Sequence, residues 1–258
     1  MNPLRVTVCE LSDDRAQFVE DWERLVVHVR TEGSELVVLP EMPFAPWLAA
    51  SSVFEQAAWD AAVRDHDEWL ERLNNLAPAS VLSSRPVTRD DRRFNEGFAW
   101  SPDEGYRAIH DKRYLPDEVG YWEAQWYGPG EALFDVTDVG GAKVGMMICT
   151  DLWSLGHAEQ YGRDGAQIIA TPRATPRSTV DKWLAGGRVA AVVSGAFSLS
   201  SNWTADDDGG DFGGAGWIAE PDGELIARTT RPEPFQTVVI DLDLADAAKR
   251  TYPRYSLR

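Results

Sequence analysis

The sequence predicts an α/β fold in which two β-sheets are layered and flanked by helices. Strand patterns alternate with helix patterns in each half of the chain, and several strand patterns follow one another directly between the halves. This succession of elements is typical of a layered sandwich. With 258 residues, 43% of them hydrophobic, the chain can bury a substantial core, and no linker composition divides it. We therefore expect one domain over residues 1–258.

The first half of the chain supplies two strands and two helices. Residues 4–8 predict a strand, and residues 13–30 predict a helix with apolar side chains at helical spacing. The short apolar run 36–39, stopped by a proline, predicts a buried strand that presents Glu41 at its carboxyl end. A longer helical pattern follows over residues 54–76 and ends before the next proline.

The rest of the chain continues the same succession. Three strand patterns come first, at residues 80–87, 94–100 and 106–112, and a loop rich in aromatic residues, Gly and Pro follows at 115–130. The second half then repeats the alternation: strands at 143–149 and 167–171, helices around 157–162 and 182–196, an extended stretch at 197–202, and a hairpin at 217–228.

The charge balance excludes partners that carry dense negative charge. The chain has 25 Lys and Arg residues against 42 Asp and Glu residues, which gives a formal net charge of −17 and a pI near 4.6. Nucleic acids and anionic membrane surfaces are bound mainly through clustered positive charge. We therefore expect no nucleic-acid partner and no membrane partner.

Membrane insertion and export are not expected either. The longest nearly apolar run, residues 189–197, is shorter than the ~20 residues that a membrane-spanning helix needs. The chain begins directly with a strand pattern and shows no apolar targeting segment. Its two cysteines, Cys9 and Cys149, are too few for a disulfide framework. These features predict a cytoplasmic protein.

The basic residues are mostly arginine, since only Lys112, Lys143, Lys182 and Lys249 are lysines. A strongly acidic surface with scarce lysine resembles proteins of salt-loving organisms, in which high salt screens the repulsion between surface charges. A codon bias toward high GC content would give the same arginine preference. Both explanations stay open at the level of the sequence.

Metal-dependent and serine-dependent chemistries have no support in the sequence. The four histidines, His28, His66, His110 and His157, lack the i, i+4 pairing or the cysteine partner that a zinc site requires. No Gly-x-Ser-x-Gly segment is present, which disfavours a serine hydrolase of the α/β type. We expect no metal ion and no organic cofactor.

Three reactive side chains follow apolar strand patterns. Glu41 follows the strand at 36–39, Lys112 the strand at 106–111, and Cys149 ends an apolar strand. An isolated cysteine is more often a small buried hydrophobic side chain, the role we assign to Cys9. However, α/β folds gather reacting groups at strand ends, where a carboxylate, an ammonium and a thiol can act as base, electrostatic stabiliser and nucleophile.

The segments around these three residues resemble the signature segments of the nitrilase-like carbon–nitrogen hydrolase superfamily. In order they are Leu39-Pro40-Glu41-Met42, Lys112-Arg113-Tyr114-Leu115-Pro116 and Gly145-Met146-Met147-Ile148-Cys149-Thr150-Asp151. The likeness continues through residues 120–123, 128–130, 165–169 and 171–174, then through Trp183, Arg188, Ile218, Pro221 and Gly223. It covers essentially the whole chain, and the three segments together are far more specific than any one of them.

The resemblance implies a four-layer α-β-β-α sandwich and a catalytic triad of Glu41, Lys112 and Cys149. It also implies a second glutamate in the loop between the lysine and the cysteine. Glu123 is the best match for this residue, and Glu118 is the alternative. Because Glu123 lies among four aromatic residues in the sequence, desolvation favours its pairing with Lys112.

The resemblance further implies hydrolysis of a small amide or an N-carbamoyl compound with release of ammonia. Cys149 attacks the carbonyl carbon, Glu41 takes the thiol proton, and Lys112 with the backbone N–H of Thr150 stabilises the oxyanion. Glu41 then activates the water that cleaves the thioester. The implied partners are a small-molecule substrate and further copies of the chain, in a homodimer or a larger homo-oligomer.

The branch of the family is indicated by the residues that follow the cysteine. Cys149-Thr150-Asp151 and the Gly-Tyr-x-Glu loop are more similar to the amidase and N-carbamoyl amidase branches, whereas nitrilases tend to show Trp-Glu after the cysteine. Nitrile hydrolysis and acyl transfer on the same triad remain alternatives, as does a binding module that has the fold without catalysis.

Some family positions are altered and weaken any transfer of substrate. No glutamate–asparagine pair follows Trp183, and Gly216 stands where a serine is common. Candidate substrate-binding residues are Thr150, Asp151, Trp153 and Arg173, and Asn202 with Trp203 are further candidates for shaping the pocket.

Overall fold

The computed structural model describes residues 1–205 and 211–257, and within these residues it contains twelve strands and six α-helices. The strands are β1 Pro3–Ser12, β2 Leu36–Val38, β3 Ser80–Arg89, β4 Arg92–Ser101, β5 Gly105–Asp111, β6 Thr137–Val139, β7 Ala142–Met146, β8 Ile168–Arg173, β9 Phe197–Thr204, β10 Trp217–Ala219, β11 Leu225–Arg228 and β12 Phe235–Asp241. The helices are α1 Arg15–Glu32, α2 Gln56–Arg72, α3 Glu123–Trp126, α4 Leu155–Arg163, α5 Val180–Ser194 and α6 Leu242–Ala248.

The strands form two sheets that share one strand. The first sheet has the order β5-β4-β3-β2-β1-β12, and the second has the order β6-β7-β8-β9-β10-β11. Strand β1 belongs to both, because Pro3–Cys9 pairs with β12 while Glu10–Ser12 pairs in parallel with the end of β9. The predicted α-β-β-α sandwich is confirmed.

Alternation of side chains along β1 and β2 sorts the core into two layers. Val6, Val8 and Val38 pack in the cluster that includes the apolar side chains of the second sheet. Val37 and Leu39 point the other way and pack in a second cluster with the side chains of α1 and the end of α2. Because successive residues of a strand face opposite sides, a continuous apolar run fits a strand that is buried on both faces.

Helix α1 shows why the predicted helices formed close to their expected bounds. Asp14 caps its start, where the side chain accepts hydrogen bonds from the backbone N–H groups of Ala16 and Gln17. Gly33 ends it in a left-handed conformation with φ 64°, which costs glycine little. None of the helices in the described ranges is long and apolar enough to cross a membrane.

Helices α4 and α5 cover the outer face of the second sheet. At Gly187 of α5, an added Cβ atom would lie 2.4 Å from the indole ring of Trp217 in β10. The absence of a side chain at this position therefore lets the helix approach the sheet closely. The predicted helix at 182–196 is confirmed with slightly earlier bounds.

Several details of the sequence prediction were wrong, and the short strand β6 was also not predicted. The strand expected to reach Cys149 ends at Met146, and the chain then leaves the sheet before the cysteine. The loop 115–130 contains the one-turn helix α3. Strand β12 and helix α6 were not predicted, because β12 lies at the edge of the first sheet and mixes buried with half-exposed positions, which blurs its periodicity.

Candidate active site

Strands β2 and β5, both in the first sheet, end on the same side and place two charged side chains together at one buried point. Glu41 follows β2 and Lys112 follows β5, and the Lys112 Nζ atom lies 2.8 Å from Glu41 Oε1. Both side chains are completely excluded from solvent. A buried charge is stable only when it is paired, so each of these residues requires the other.

A second carboxylate completes the environment of the lysine. Glu123, at the start of α3, places its Oε2 atom 2.5 Å from Lys112 Nζ, and the same oxygen accepts a hydrogen bond from the Tyr127 hydroxyl at 2.6 Å. Glu118, the alternative from the sequence, is exposed and its backbone pairs with Tyr121. Glu123 is therefore the loop glutamate that contacts the lysine.

Two residues that the sequence analysis did not select hold this network in place. Asn95 in β4 donates from Nδ2 to Glu41 Oε1 at 2.8 Å, and the same amide lies 3.4 Å from the Tyr127 hydroxyl. The backbone carbonyl of Asn95 also accepts the N–H of Lys112 at 2.9 Å. The signal that the sequence offered for Asn95 was an amide side chain inside the predicted strand 94–100.

The arrangement leaves one oxygen of Glu41 available. Its Oε1 atom accepts from both Lys112 and Asn95, whereas Oε2 is buried and has no hydrogen-bond partner among the described residues. A buried acceptor without a partner costs stability, and this oxygen is free to accept a proton.

The backbone of Glu41 is fixed from both sides. The Trp203 indole N–H donates to its carbonyl oxygen at 2.6 Å, and its own N–H lies 3.3 Å from the carbonyl oxygen of Arg173. The next residue, Met42, has φ 42°, a left-handed conformation that is unfavourable for a side chain of this size. Its N–H donates to Ser84 Oγ, which stabilises the turn that aims Glu41 inward.

Cys149 begins a 3₁₀ turn, Cys149–Trp153, at the end of the loop that follows β7. It also has a left-handed conformation, with φ 48°, and its side chain is buried. The backbone N–H of Ala174 donates to its sulfur. Burial and then the neighbouring Glu41 carboxylate raise the pKa of the Cys149 thiol well above its usual value.

The charges of this centre are unevenly balanced. Burial acts to lower the pKa of Lys112, but the Glu123 and Glu41 carboxylates outweigh it and raise that pKa, so the ammonium keeps its proton. Burial also raises the pKa of Glu123, in spite of the opposing charge of Lys112. Two carboxylates thus share one cation, a pattern typical of functional sites.

Asp151 and Thr150, predicted to bind substrate, both contact the segment after Lys112. Asp151 is completely buried, and its Oδ1 atom accepts from the backbone N–H groups of Arg113 and Tyr114 at 3.1 and 2.9 Å. The Thr150 hydroxyl donates to the Tyr114 carbonyl oxygen, and Thr150 lines an open groove of about 590 Å³. Substrate contact by either residue stays a prediction.

Arg173 and Trp153, the other two candidates, lie in different settings. Arg173 is fully buried, with its three nitrogens donating to Ser200, Thr175 and the Ala215 carbonyl oxygen. Burial lowers its pKa to about 9. Trp153 is 47% exposed and packs against Trp183 with ring centroids 4.7 Å apart. Their contact with substrate also stays a prediction.

Aromatic side chains form a wall beside the buried centre. Phe212 lies between Trp203 and Trp47, with centroid distances of 5.4 and 6.2 Å, and Tyr121 lies 6.2 Å from Trp47. These four residues pack with Ala174, whose N–H reaches the Cys149 sulfur. The indole N–H groups of Trp203 and Trp47 donate to backbone carbonyls, so the wall presents mainly ring surface.

Comparison with known proteins gives relatives along nearly the whole chain. It is 25% identical to the citrullinase of Francisella tularensis subsp. tularensis over 254 residues, covering 90% of this chain and 86% of that protein. It is 24% identical to the N-carbamoylputrescine amidase of Arabidopsis thaliana over 265 residues, covering 93% of this chain and 87% of that protein.

Solved structures share the fold. The carbon–nitrogen hydrolase from Helicobacter pylori G27 superimposes with a TM-score of 0.87 at 20% identity, covering 100% of this chain and 96% of that one. An amidase from Nesterenkonia sp. gives 0.74 at 18% identity, covering 98% and 94%. The family model described as carbon-nitrogen hydrolase matches residues 5–252. The chain therefore belongs to the carbon–nitrogen hydrolase family.

Proposed function

We propose that this protein is an amidase that cleaves a small amide or an N-carbamoyl compound through a thioester on Cys149. The observation that carries the proposal is the state of Glu41. Lys112 and Asn95 hold one carboxylate oxygen, while the other is buried without a partner beside a thiol whose pKa Glu41 itself raises. A carboxylate arranged in this way can accept a proton from that thiol.

The first step joins proton transfer to attack. Because burial and Glu41 raise the pKa of Cys149, the thiol holds its proton in the resting enzyme. As the sulfur forms a bond to the carbonyl carbon, its proton moves to Glu41 Oε2, and the carbonyl π electrons move onto oxygen. This avoids an isolated thiolate next to two carboxylates.

Lys112 stabilises the oxygen that becomes negative. Its pKa is raised by the two carboxylates, so it stays an ammonium throughout, and it enters the step already desolvated. Preorganised charges in a water-excluded site stabilise a transition state more than they would in water. Glu123 and Tyr127 hold the ammonium in position, and the backbone N–H of Thr150 is the second proposed donor to the oxyanion.

The remaining steps return the enzyme to its starting state. The tetrahedral intermediate collapses, the C–N bond breaks, and the leaving nitrogen takes the proton from Glu41, so ammonia or an amine departs and a thioester remains. Glu41 then removes a proton from water as the water attacks the thioester, and the sulfur leaves with that proton as the acid is released. The cycle balances with water alone and needs no cofactor.

The surroundings of the site support a small substrate. The aromatic wall of Trp47, Tyr121, Trp203 and Phe212 packs beside Ala174, and its half-buried members Trp47 and Tyr121 can offer ring surface to a flat group such as an amide or a ureido group. The relatives named citrullinase and N-carbamoylputrescine amidase act, by their names, on carbamoyl compounds. This agreement supports the amide and carbamoyl class over nitriles.

We also propose that residues 1–258 act as one domain and that copies of it associate. Strand β1 is part of both sheets, so neither sheet is complete without it, which supports a single unit. Trp153 and Val189 are 47% and 42% exposed near the α5 side of the molecule, which supports a homodimer or larger homo-oligomer. Light scattering that gives the mass of one chain would reject the association.

The test is ammonia release from a panel of small amides, N-carbamoyl amines, N-carbamoyl amino acids and nitriles. Cys149→Ala removes the nucleophile. The matched control is Cys9→Ala, because Cys9 is the other buried free cysteine and lies in β1 with its sulfur on the carbonyl oxygen of Val38. We expect release from the amide or carbamoyl class that persists in Cys9→Ala and disappears in Cys149→Ala.

Residual ammonia release by folded Cys149→Ala would exclude the thioester mechanism. The wild-type protein could instead release no ammonia from any substrate while circular dichroism shows that it is folded. That result would favour acyl transfer or a binding module. Trapping with hydroxylamine separates these two outcomes, since a thioester intermediate would give a hydroxamate.

A further inference from the structure

Asp151 ties together the two segments that carry the reactive lysine and cysteine. On the lysine side, its Oδ1 atom accepts the backbone N–H groups of Arg113 and Tyr114 at 3.1 and 2.9 Å. On the cysteine side, its Oδ2 atom accepts the N–H of Ile148, the residue before Cys149, at 3.2 Å. One buried carboxylate therefore bridges the residues that directly adjoin Lys112 and Cys149.

The fourth contact of this carboxylate comes from His110. The Nε2 atom of His110 lies 3.0 Å from Asp151 Oδ2, and both side chains are excluded from solvent. The other ring nitrogen of His110 lies 3.2 Å from the Leu133 carbonyl oxygen, and the ring packs against Phe134 with centroids 4.7 Å apart. His110 is thus fixed on both sides and holds the Asp151 carboxylate in one orientation.

We propose that Asp151 is a positioning residue that sets the distance between the Lys112 ammonium and the Cys149 sulfur, with His110 as its support. Each oxygen of the Asp151 carboxylate accepts two hydrogen bonds from the protein, so all of its acceptor positions are occupied. The inference rests on the proposed function, in which the ammonium must lie where the oxyanion forms as the sulfur attacks. A displacement of about 1 Å between reacting groups can cost a hundredfold in rate.

Two matched pairs of variants test the proposal, all in a Cys9→Ala background so that Cys149 is the sole thiol. Asp151→Asn keeps the shape but turns one acceptor into a donor, which then faces the N–H of Ile148 and the His110 ring. Its control is Asp21→Asn in α1, a buried carboxylate that accepts the backbone N–H of Ser12 away from the site. His110→Gln keeps a donor toward Asp151, whereas His110→Leu removes it.

Two readouts are measured on folded protein: kcat and KM for the best substrate, and the rate of Cys149 alkylation by iodoacetamide. We expect Asp151→Asn to lower kcat about 100-fold with KM almost unchanged and to change the pH profile of alkylation, while Asp21→Asn alters neither. We expect His110→Leu to lower kcat about tenfold and His110→Gln to retain more of it.

A raised KM with unchanged kcat and alkylation in Asp151→Asn would overturn the proposal in favour of substrate contact. Unchanged values in all readouts would also overturn it. If Asp151→Asn does not fold, the His110 pair decides, because equal kcat values in His110→Gln and His110→Leu contradict the bridge. Alkylation needs no amide substrate, so an inactive wild-type protein would refute the proposed function and still leave the positioning role measurable.

Discussion

Two buried regions on opposite sides of the first sheet are stabilised by different interactions. Around Lys112, one cation and the carboxylates of Glu41 and Glu123 lie within hydrogen-bond distance and completely out of solvent. Between the sheet and helices α1 and α2, the ring of Trp69 contacts those of Phe18, Trp22 and Phe44 at 5.0 to 5.3 Å. The first region is held by charge and the second by packed rings.

The number of buried polar atoms without hydrogen-bond partners shows which region contributes more to the stability of the fold. The charged region leaves Glu41 Oε2, Glu123 Oε1 and Asn95 Oδ1 without partners among the described residues, and each such acceptor costs free energy of unfolding. The ring cluster leaves one such atom, the indole nitrogen of Trp22, whereas His66 has both ring nitrogens engaged: it accepts from the Phe44 N–H and lies 2.8 Å from the Ala62 carbonyl oxygen. The charged region therefore contributes less to stability than the ring cluster does, a cost that the proposed function would explain.

The largest effect is expected from removing the cation. Lys112→Met leaves two buried carboxylates without their counter-charge, so we expect loss of measurable turnover and a fall of about 3–5 kcal/mol in the free energy of unfolding. Urea denaturation followed by fluorescence measures the second quantity.

A triple variant without the three buried charges tests whether the loss of stability comes from unpaired charge. Lys112→Met combined with Glu41→Gln and Glu123→Gln removes all three charges, and we expect it to regain most of the lost stability while staying inactive. If the triple variant were as unstable as Lys112→Met, the cost would lie in packing and not in charge, and the contrast between the two regions would fail.

The opposite behaviour is expected in the ring cluster. Trp69→Leu removes three ring contacts worth about 0.5–1.5 kcal/mol each, so we expect a loss of about 2–4 kcal/mol in the free energy of unfolding. The kcat of the folded protein should not change, because the ring partners of Trp69 within residues 1–205 and 211–257 do not include the groups around Lys112. A fall in kcat at temperatures where the variant is fully folded would show that the regions are coupled.

Low pH is expected to destabilise the fold through protonation of His66, which lies in the ring cluster. Burial lowers the pKa of His66 to about 3 from its ordinary 6.5, so the folded protein keeps this ring neutral while the unfolded chain binds a proton below pH 6.5. The contribution is present in full above pH 6.5 and is lost as pH falls toward 3, by about 1.4 kcal/mol per pH unit. Denaturation of His66→Gln over that pH range should give a flatter profile, and an identical slope would contradict the assignment.

Salt is expected to have the smallest effect on either region, because both are buried and screening acts on exposed charge. The formal net charge of −17 lies mostly on exposed side chains. If this surface is an adaptation to salt, the melting temperature should rise between dilute buffer and multi-molar KCl, with equal increments in wild type and Trp69→Leu. If the melting temperature does not change with KCl concentration, codon bias would remain as the explanation of the arginine preference.

Sequence reasoning identified the residues whose chemistry stands out from their neighbours. Glu41 and Lys112 follow apolar strands, and parallel strands deliver their carboxyl ends to one edge of a sheet, so their approach could be expected. Glu123 was selected because the resemblance to the carbon–nitrogen hydrolases implies a second glutamate in this loop, and its aromatic neighbours in the sequence favoured pairing with a cation.

Residues whose position depends on register were not found. Asn95 reaches Glu41 only because β4 pairs with β3 and β5 in one particular register, which shifts at Gly97 and Phe98, and periodicity does not encode that shift. Asp151 was named as a candidate substrate-binding residue, and the sequence did not indicate that its side chain bridges the segments that follow Lys112 and precede Cys149. A bridge of this kind depends on the assembled site.

The strand shared by both sheets has a consequence for how the protein is made. Strand β1 is synthesised first, but its partner β12 begins at Phe235, and Leu4 pairs with Ile240. A ribosome adds about 5–20 residues per second, so the first strand waits on the order of tens of seconds for its neighbour. During that interval its edge is open to other chains. The strand that joins the two sheets therefore keeps one edge unpaired until the last strand of the first sheet has been synthesised.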